Sequence, residues 1–83
     1  MKLLYFAWVR ERIGKAEEEI AIPAGIETVS DLIAWLAARD EGGARAFNEP
    51  EVIRAAIDRT HASHDMPLAG AQEVAFFPPM TGG

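Results

Sequence analysis

The sequence ends Met80-Thr81-Gly82-Gly83, and the C-terminal carboxylate of Gly83 is its clearest candidate for a reacting group. Average glycine usage is ~7%, so two terminal glycines arise by chance in roughly one chain in two hundred. With no Cβ, two glycines let a backbone enter a narrow channel and take φ values closed to other residues. The plainer reading of the same pair is a frayed terminus. Competing chemistry is scarce. The chain has no cysteine, which excludes a disulfide framework, a thiolate metal site and a cysteine nucleophile. His61, His64 and Asp65 are of types that ligate zinc, but they stand in a polar stretch with no further His or Cys, so no metal site is assigned to them. Ser30, Thr60 and Ser63 lack the surroundings of a nucleophile elbow and read as cap and loop hydroxyls.

The elements that would present Gly83 must come from 83 residues, 49% hydrophobic and 25% charged, which suits one folded domain. A domain of this size buries only roughly 60–65% of the surface of its unfolded chain, so its core is small. The net charge of −5 opposes a phosphate backbone, and no Lys/Arg cluster offsets it, which argues against a nucleic-acid partner. The apolar stretch Leu3 to Val9 is too short to span a bilayer and lacks the pattern of a signal peptide. No membrane association and a cytoplasmic location are therefore expected.

Residues Lys2 to Arg10 alternate as a strand, with Leu3, Tyr5, Ala7 and Val9 on one face and Leu4, Phe6 and Trp8 on the other. A charged turn around Gly14 leads to a second strand, Glu17 to Ile22, so the two read as a hairpin. Thr28 with Asp31 resembles a capping box, and Val29, Leu32, Ile33 and Leu36 follow at helical spacing, which predicts a helix over Val29 to Arg39. Gly42-Gly43 should break it, with a short turn over Ala44 to Asn48. A third strand is predicted from Val52 to Asp58, mostly loop from Thr60 to Gln72, and a last strand from Glu73 to Phe77 with Val74 and Phe76 inward. The acidic run Glu17-Glu18-Glu19 reads as a solvated strand face.

This order predicts an α+β roll of the β-grasp (ubiquitin-like) kind, a mixed sheet of four to five strands wrapped on one main helix. One helix covers one sheet face, so Leu4, Phe6, Trp8 and Phe77 are expected near the other as a docking patch. Pro78 and Pro79 cannot donate ladder hydrogen bonds and should end the last strand. The domain is thus expected over residues 1–79, with residues 80–83 as a flexible tail reaching on the order of 15 Å from Pro79 when extended, at ~3.3 Å per residue.

The block Val74-Ala75-Phe76-Phe77-Pro78-Pro79-Met80-Thr81-Gly82-Gly83, together with Leu3 to Glu11, Thr28-Val29, Asp65 and Pro67-Leu68, resembles the small, sulfur-carrying subunit of molybdopterin synthase along the whole chain. The resemblance implies that an activating enzyme adenylates Gly83 using ATP and a sulfur donor converts it to a thiocarboxylate. The large catalytic subunit then uses that sulfur on a pterin precursor. It implies a non-catalytic subunit with no bound cofactor, in a heterotetramer of two small and two large subunits. Gly82 would thread the tail, and Phe6, Trp8, Phe77, Pro78, Pro79, Met80 and Thr81 would meet partners. Asp58, Gly70-Ala71-Gln72 and Met80 depart from the usual family pattern. The sulfur carrier of thiamine thiazole synthesis, a ubiquitin-like modifier and a plain interaction domain are the alternative readings, and Phe-Phe-Pro-Pro argues against the first.

Overall fold

The computed structural model describes residues 1–79. Five strands, β1 (Lys2–Tyr5), β2 (Glu17–Glu19), β3 (Arg54–Ile57), β4 (Thr60–Ala62) and β5 (Glu73–Phe77), form one mixed sheet in the order β2-β1-β5-β3-β4. β1 and β5 run parallel at its centre, and the other neighbours are antiparallel. Three helices, α1 (Ala7–Ile13), α2 (Val29–Arg39) and α3 (Glu41–Ala46), and a 3₁₀ turn at Pro50–Val52 complete the described fold. One sheet face carries Leu3, Tyr5, Ala55, Val74 and Phe76, which bury against Val29, Leu32, Ile33 and Leu36 of α2. This is the α+β roll on one main helix expected from the sequence.

α2 has the predicted limits because its N-terminus is capped locally and the chain turns extended at Asp40. Thr28 Oγ1 accepts from Asp31 N–H at 3.2 Å, and Asp31 Oδ2 accepts from Thr28 N–H at 3.1 Å and Glu27 N–H at 3.0 Å. These two backbone donors hold the Asp31 carboxyl below its ordinary value, so the shorter acid does close the box. The next free amides, Val29 and Ser30, donate to the carbonyls of Met66 and His64 at 3.1 and 2.8 Å.

Elsewhere the structure corrects the sequence reading. β1 stops at Tyr5, and α1 starts after one extended residue, Phe6, with Ala7 at φ 52°. Val9 and Ile13 are one helical turn apart and both meet the core, a spacing that short-range alternation had masked. β1 and β2 still pair antiparallel, but a helix rather than a tight turn joins them. Gly42-Gly43 lie inside α3, where Asp40 accepts from Gly43 N–H at 2.7 Å. A Cβ on Gly43 would stand 1.8 Å from the Leu36 carbonyl oxygen, so glycine is there because α3 closes on the backbone of α2. The third strand begins two residues later than predicted, at Arg54, since Pro50–Val52 form the 3₁₀ turn. β4, read as loop, follows a two-residue turn in which Asp58 and Arg59 take φ 48° and 72°.

Glu18 is not solvated with its neighbours. Its carboxylate accepts from the Tyr5 hydroxyl at 2.6 Å and, through both oxygens, from Arg39 at 3.0 and 2.8 Å. The Arg39 hydrogen bonds lead in lowering the Glu18 pKa from 4.5 to about 2, with Tyr5 assisting against some desolvation. Burial, with Glu18 adding to it, raises the Tyr5 phenol. Because the folded-state Glu18 value is the lower one, this pairing stabilises the fold above pH 4.5 and is lost as pH falls toward 2. Glu18→Gln should flatten the pH dependence of urea-unfolding stability across that window and cost about 1 kcal/mol at neutral pH, solvent screening keeping the figure small. Gly43→Ala should destabilise by about 1–3 kcal/mol in the same assay, since the new methyl overpacks a closed contact. Gly42→Ala, whose added Cβ meets Ile13 O at 3.0 Å, should cost less.

Candidate functional site

The sheet face away from α2 is set by strand alternation. Leu3 and Tyr5 point into the core, so Lys2, Leu4 and the extended Phe6 point out. Val74 and Phe76 are fully buried, so Ala75 and Phe77 share the outer face, and Phe77 is half-buried there. Leu4 pairs with Ala75, and Phe6 N–H donates to Phe76 O at 3.1 Å, which carries the β1–β5 pairing to the end of β5. Phe6 and Phe77 therefore stand side by side where the strand gives way to Pro78-Pro79. Phe6 is 47% exposed, one of two large hydrophobic side chains so exposed among the described residues.

The antiparallel side completes the face. Ala56 opposes Ala75 and His61, and Arg54 opposes Phe77. The two alanines leave a low floor across which the His61 ring meets the Phe77 ring edge-on, 6.3 Å between centroids. On the other flank Glu17 and Glu19 oppose Leu4 and Lys2, and Lys2 holds Glu17 at 3.4 Å. The face is thus an apolar patch with acids along its β2 edge and an arginine beside Phe77.

Phe6 and Phe77 are brought together as the sequence suggested, next to Pro78 and Pro79. Trp8 is placed by α1 instead of by the strand. It is half-buried against the core, and the Arg12 guanidinium lies 4.2 Å over its ring. Met80, Thr81, Gly82 and Gly83 lie outside the described residues. His61 was not read as part of the face because β4 went unseen, and Arg54 and Ala56 because the facing of the predicted third strand was not assigned; once 54–57 and 60–62 are paired strands, alternation finds all three. The histidines and Asp65 do not converge. His64 Nε2 donates to Ile53 O at 2.7 Å, Asp65 Oδ1 accepts from Ser63 Oγ at 2.6 Å, and His61 is on the sheet face. Among the described residues no three potential ligands are grouped to hold a metal ion, and no helix is long and apolar enough to cross a membrane.

This sheet, helix and open face define a ubiquitin-like β-grasp domain. The chain belongs to the ThiS family, whose profile matches residues 3–83. It is 42% identical, over 100% of its length and 99% of the relative's, to the molybdopterin synthase sulfur carrier subunit of Escherichia coli (strain K12). Among solved structures it is similar to a Pyrococcus furiosus protein proposed to be molybdopterin converting factor subunit 1, with TM-score 0.72, 31% identity and 94% of each chain covered. SAMP1 from Haloferax volcanii shares the fold at TM-score 0.70 and 24% identity, with 100% of this chain and 98% of that one covered.

The two aromatic neighbours Phe6 and Phe76 should respond very unequally to truncation. Phe6→Ser is expected to change unfolding stability by less than about 1 kcal/mol, as at other exposed positions. Phe76→Ala should cost about 3–5 kcal/mol, because that ring is fully buried between Tyr5 and Phe47. Chemical denaturation of the two variants distinguishes the outer face from the core.

Proposed function

We propose that this chain is the sulfur carrier subunit of a molybdopterin synthase, working through the C-terminal carboxylate of Gly83. The observation that carries the reading is the 42% identity, spread over essentially the whole of both chains, to the E. coli sulfur carrier subunit. The apolar sheet face ending at Pro78-Pro79 supports it, because a carrier must dock by one surface and deliver its terminus from the edge of that surface.

The chemistry explains why several partners are needed. A carboxylate resists nucleophiles, so an activating enzyme joins it to the AMP portion of ATP, with pyrophosphate leaving. A sulfur donor then displaces AMP to give a thiocarboxylate on Gly83. Ionised sulfur is the stronger nucleophile, as for thiolates. In the large catalytic subunit it replaces an oxygen substituent on a carbon of the pterin precursor, the carbon–oxygen bond breaking as one carbon–sulfur bond of the dithiolene forms and the oxygen leaving with a proton. Water then cleaves the acyl–sulfur bond to return the carboxylate. This chain supplies the acyl group, the Gly82-Gly83 backbone that can thread a narrow tunnel, and the Phe6–Phe77 surface that seats it. It needs no bound cofactor of its own.

Intact mass spectrometry after incubation with ATP, the activating enzyme and a sulfur donor tests the assignment. One oxygen should be exchanged for sulfur at the terminus, and adding the large subunit with precursor should restore the starting mass. A terminus found instead in an isopeptide bond to a lysine would replace the carrier reading with that of a protein modifier. Gly82→Ala should slow transfer by at least about tenfold with adenylation less affected, since a Cβ near the reacting carbon obstructs threading.

A further inference from the structure

The charges around the open face are not arranged symmetrically. Among the described residues its cations are Lys2 and Arg59 at one end of the sheet, where they line one pocket with Asp58 and Glu73, and Arg54 at the other. Lys2 is occupied by Glu17 at 3.4 Å, whereas Arg54 is exposed and has no carboxylate within the 4.0 Å of an ion pair among the described residues. The acids borne by the strands lie away from it, Glu17 and Glu19 on β2 and Glu73 at the start of β5, while Glu51 of the 3₁₀ turn lines a pocket with Arg54 without forming an ion pair. Arg54 lies directly across from Phe77, at the end where the chain leaves the sheet. The chain as a whole carries −5.

We propose that Arg54 is the specificity-determining charge of the docking face, and that the large synthase subunit presents a carboxylate cluster to it beside the Phe77 contact. This rests on the carrier reading above. An unpaired arginine at the border of an aromatic patch is the composition that interface centres favour, and its planar fork binds a carboxylate bidentately. The distribution also selects an orientation. Docked with Phe77 toward the carboxylates, the face gains the Arg54 pair; rotated half a turn, it sets Glu73 and Asp58, with Arg59 between them and the closed pairs Lys2–Glu17 and Met1 ammonium–Glu19, against those same carboxylates. Repulsion in the wrong pose discriminates as strongly as attraction in the right one. The charge thereby fixes which way Pro78-Pro79 points.

The test is titration calorimetry of the intact chain against the large subunit at low and moderate salt, with thiocarboxylate formation followed in parallel by mass. Arg54→Glu should weaken binding at least about tenfold at low salt, and Arg54→Leu should reduce the salt dependence. Arg54→Lys should fall between wild type and Arg54→Leu, because the point charge keeps the attraction but not the fork. Reversing one Asp or Glu of the large subunit should restore Arg54→Glu, which a merely structural role of Arg54 would not allow. Unchanged affinity and salt dependence in Arg54→Glu, with thiocarboxylate still formed and wild-type binding intact, overturns this inference alone. A wild-type chain that neither forms thiocarboxylate nor binds the large subunit overturns the carrier reading with it.

Discussion

β1 and β5, the first and last strands, lie next to each other and parallel at the centre of the sheet, in the register Leu4 to Ala75 and Tyr5 to Phe76. Everything else is arranged around that pairing. Strand side chains alternate with a period of two, so the register that buries Tyr5 against Phe76 necessarily turns Phe6 and Phe77 outward together. A slip of one residue would exchange the core set for the outer-facing set. Core and outer face are therefore fixed by the same hydrogen bonds, and neither can be retuned without the other.

The small core needs this central pair to be braced from the side, and Tyr5 is where the bracing meets it. Its ring stacks on Phe76 while its hydroxyl reaches Glu18 on the edge strand β2, and Glu18 in turn holds Arg39 in the last turn of α2. One carboxylate thus ties a central strand, an edge strand and the helix C-terminus, where a cation also suits the helix dipole. On the far side α3 presses its Gly43 onto the backbone of α2. The helix is held at both flanks, which keeps it on one face and leaves the opposite face open.

What the sequence disclosed follows the range of the interactions involved. α2 and β5 were legible to the residue, because the Thr28–Asp31 box and the Pro78-Pro79 stop are local signals. The placing of Phe6 and Phe77 on the outer face was legible too. α1 was not, since Trp8, Val9 and Ile13 satisfy a strand pattern in part and only burial of Val9 decides for the helix. Gly42-Gly43 looked like a break because the need for glycine arises from a helix packed against it, at Leu36. β4 was hidden by its turn: Asp58-Arg59 takes left-handed backbone without the Asn-Gly signature, and Asp58 is held there by the amides of Gln72 and Glu73, far along the chain. With β4 went His61 as a member of the face, and without its pairing partner the facing of Arg54 on β3 was not fixed either.

The junction after β1 shows how a local cost serves the site. Ala7 sits at φ 52°, a left-handed conformation that costs an L-residue roughly 1–2 kcal/mol. It ends the strand at once: Phe6 O accepts from both Val9 and Arg10 amides, so the chain turns into α1 immediately after the exposed ring. Had β1 continued, its next residues would have run on beyond Phe77 and walled off the edge from which Pro78 departs. The abrupt turn keeps Phe6 uncovered, brings Val9 back to seal the core, and leaves the end of β5 clear. Strain at Ala7 thus belongs with Phe6, Phe77 and the two prolines as one arrangement, in which the chain is bent sharply at one strand end so that it does not cover the end of the next.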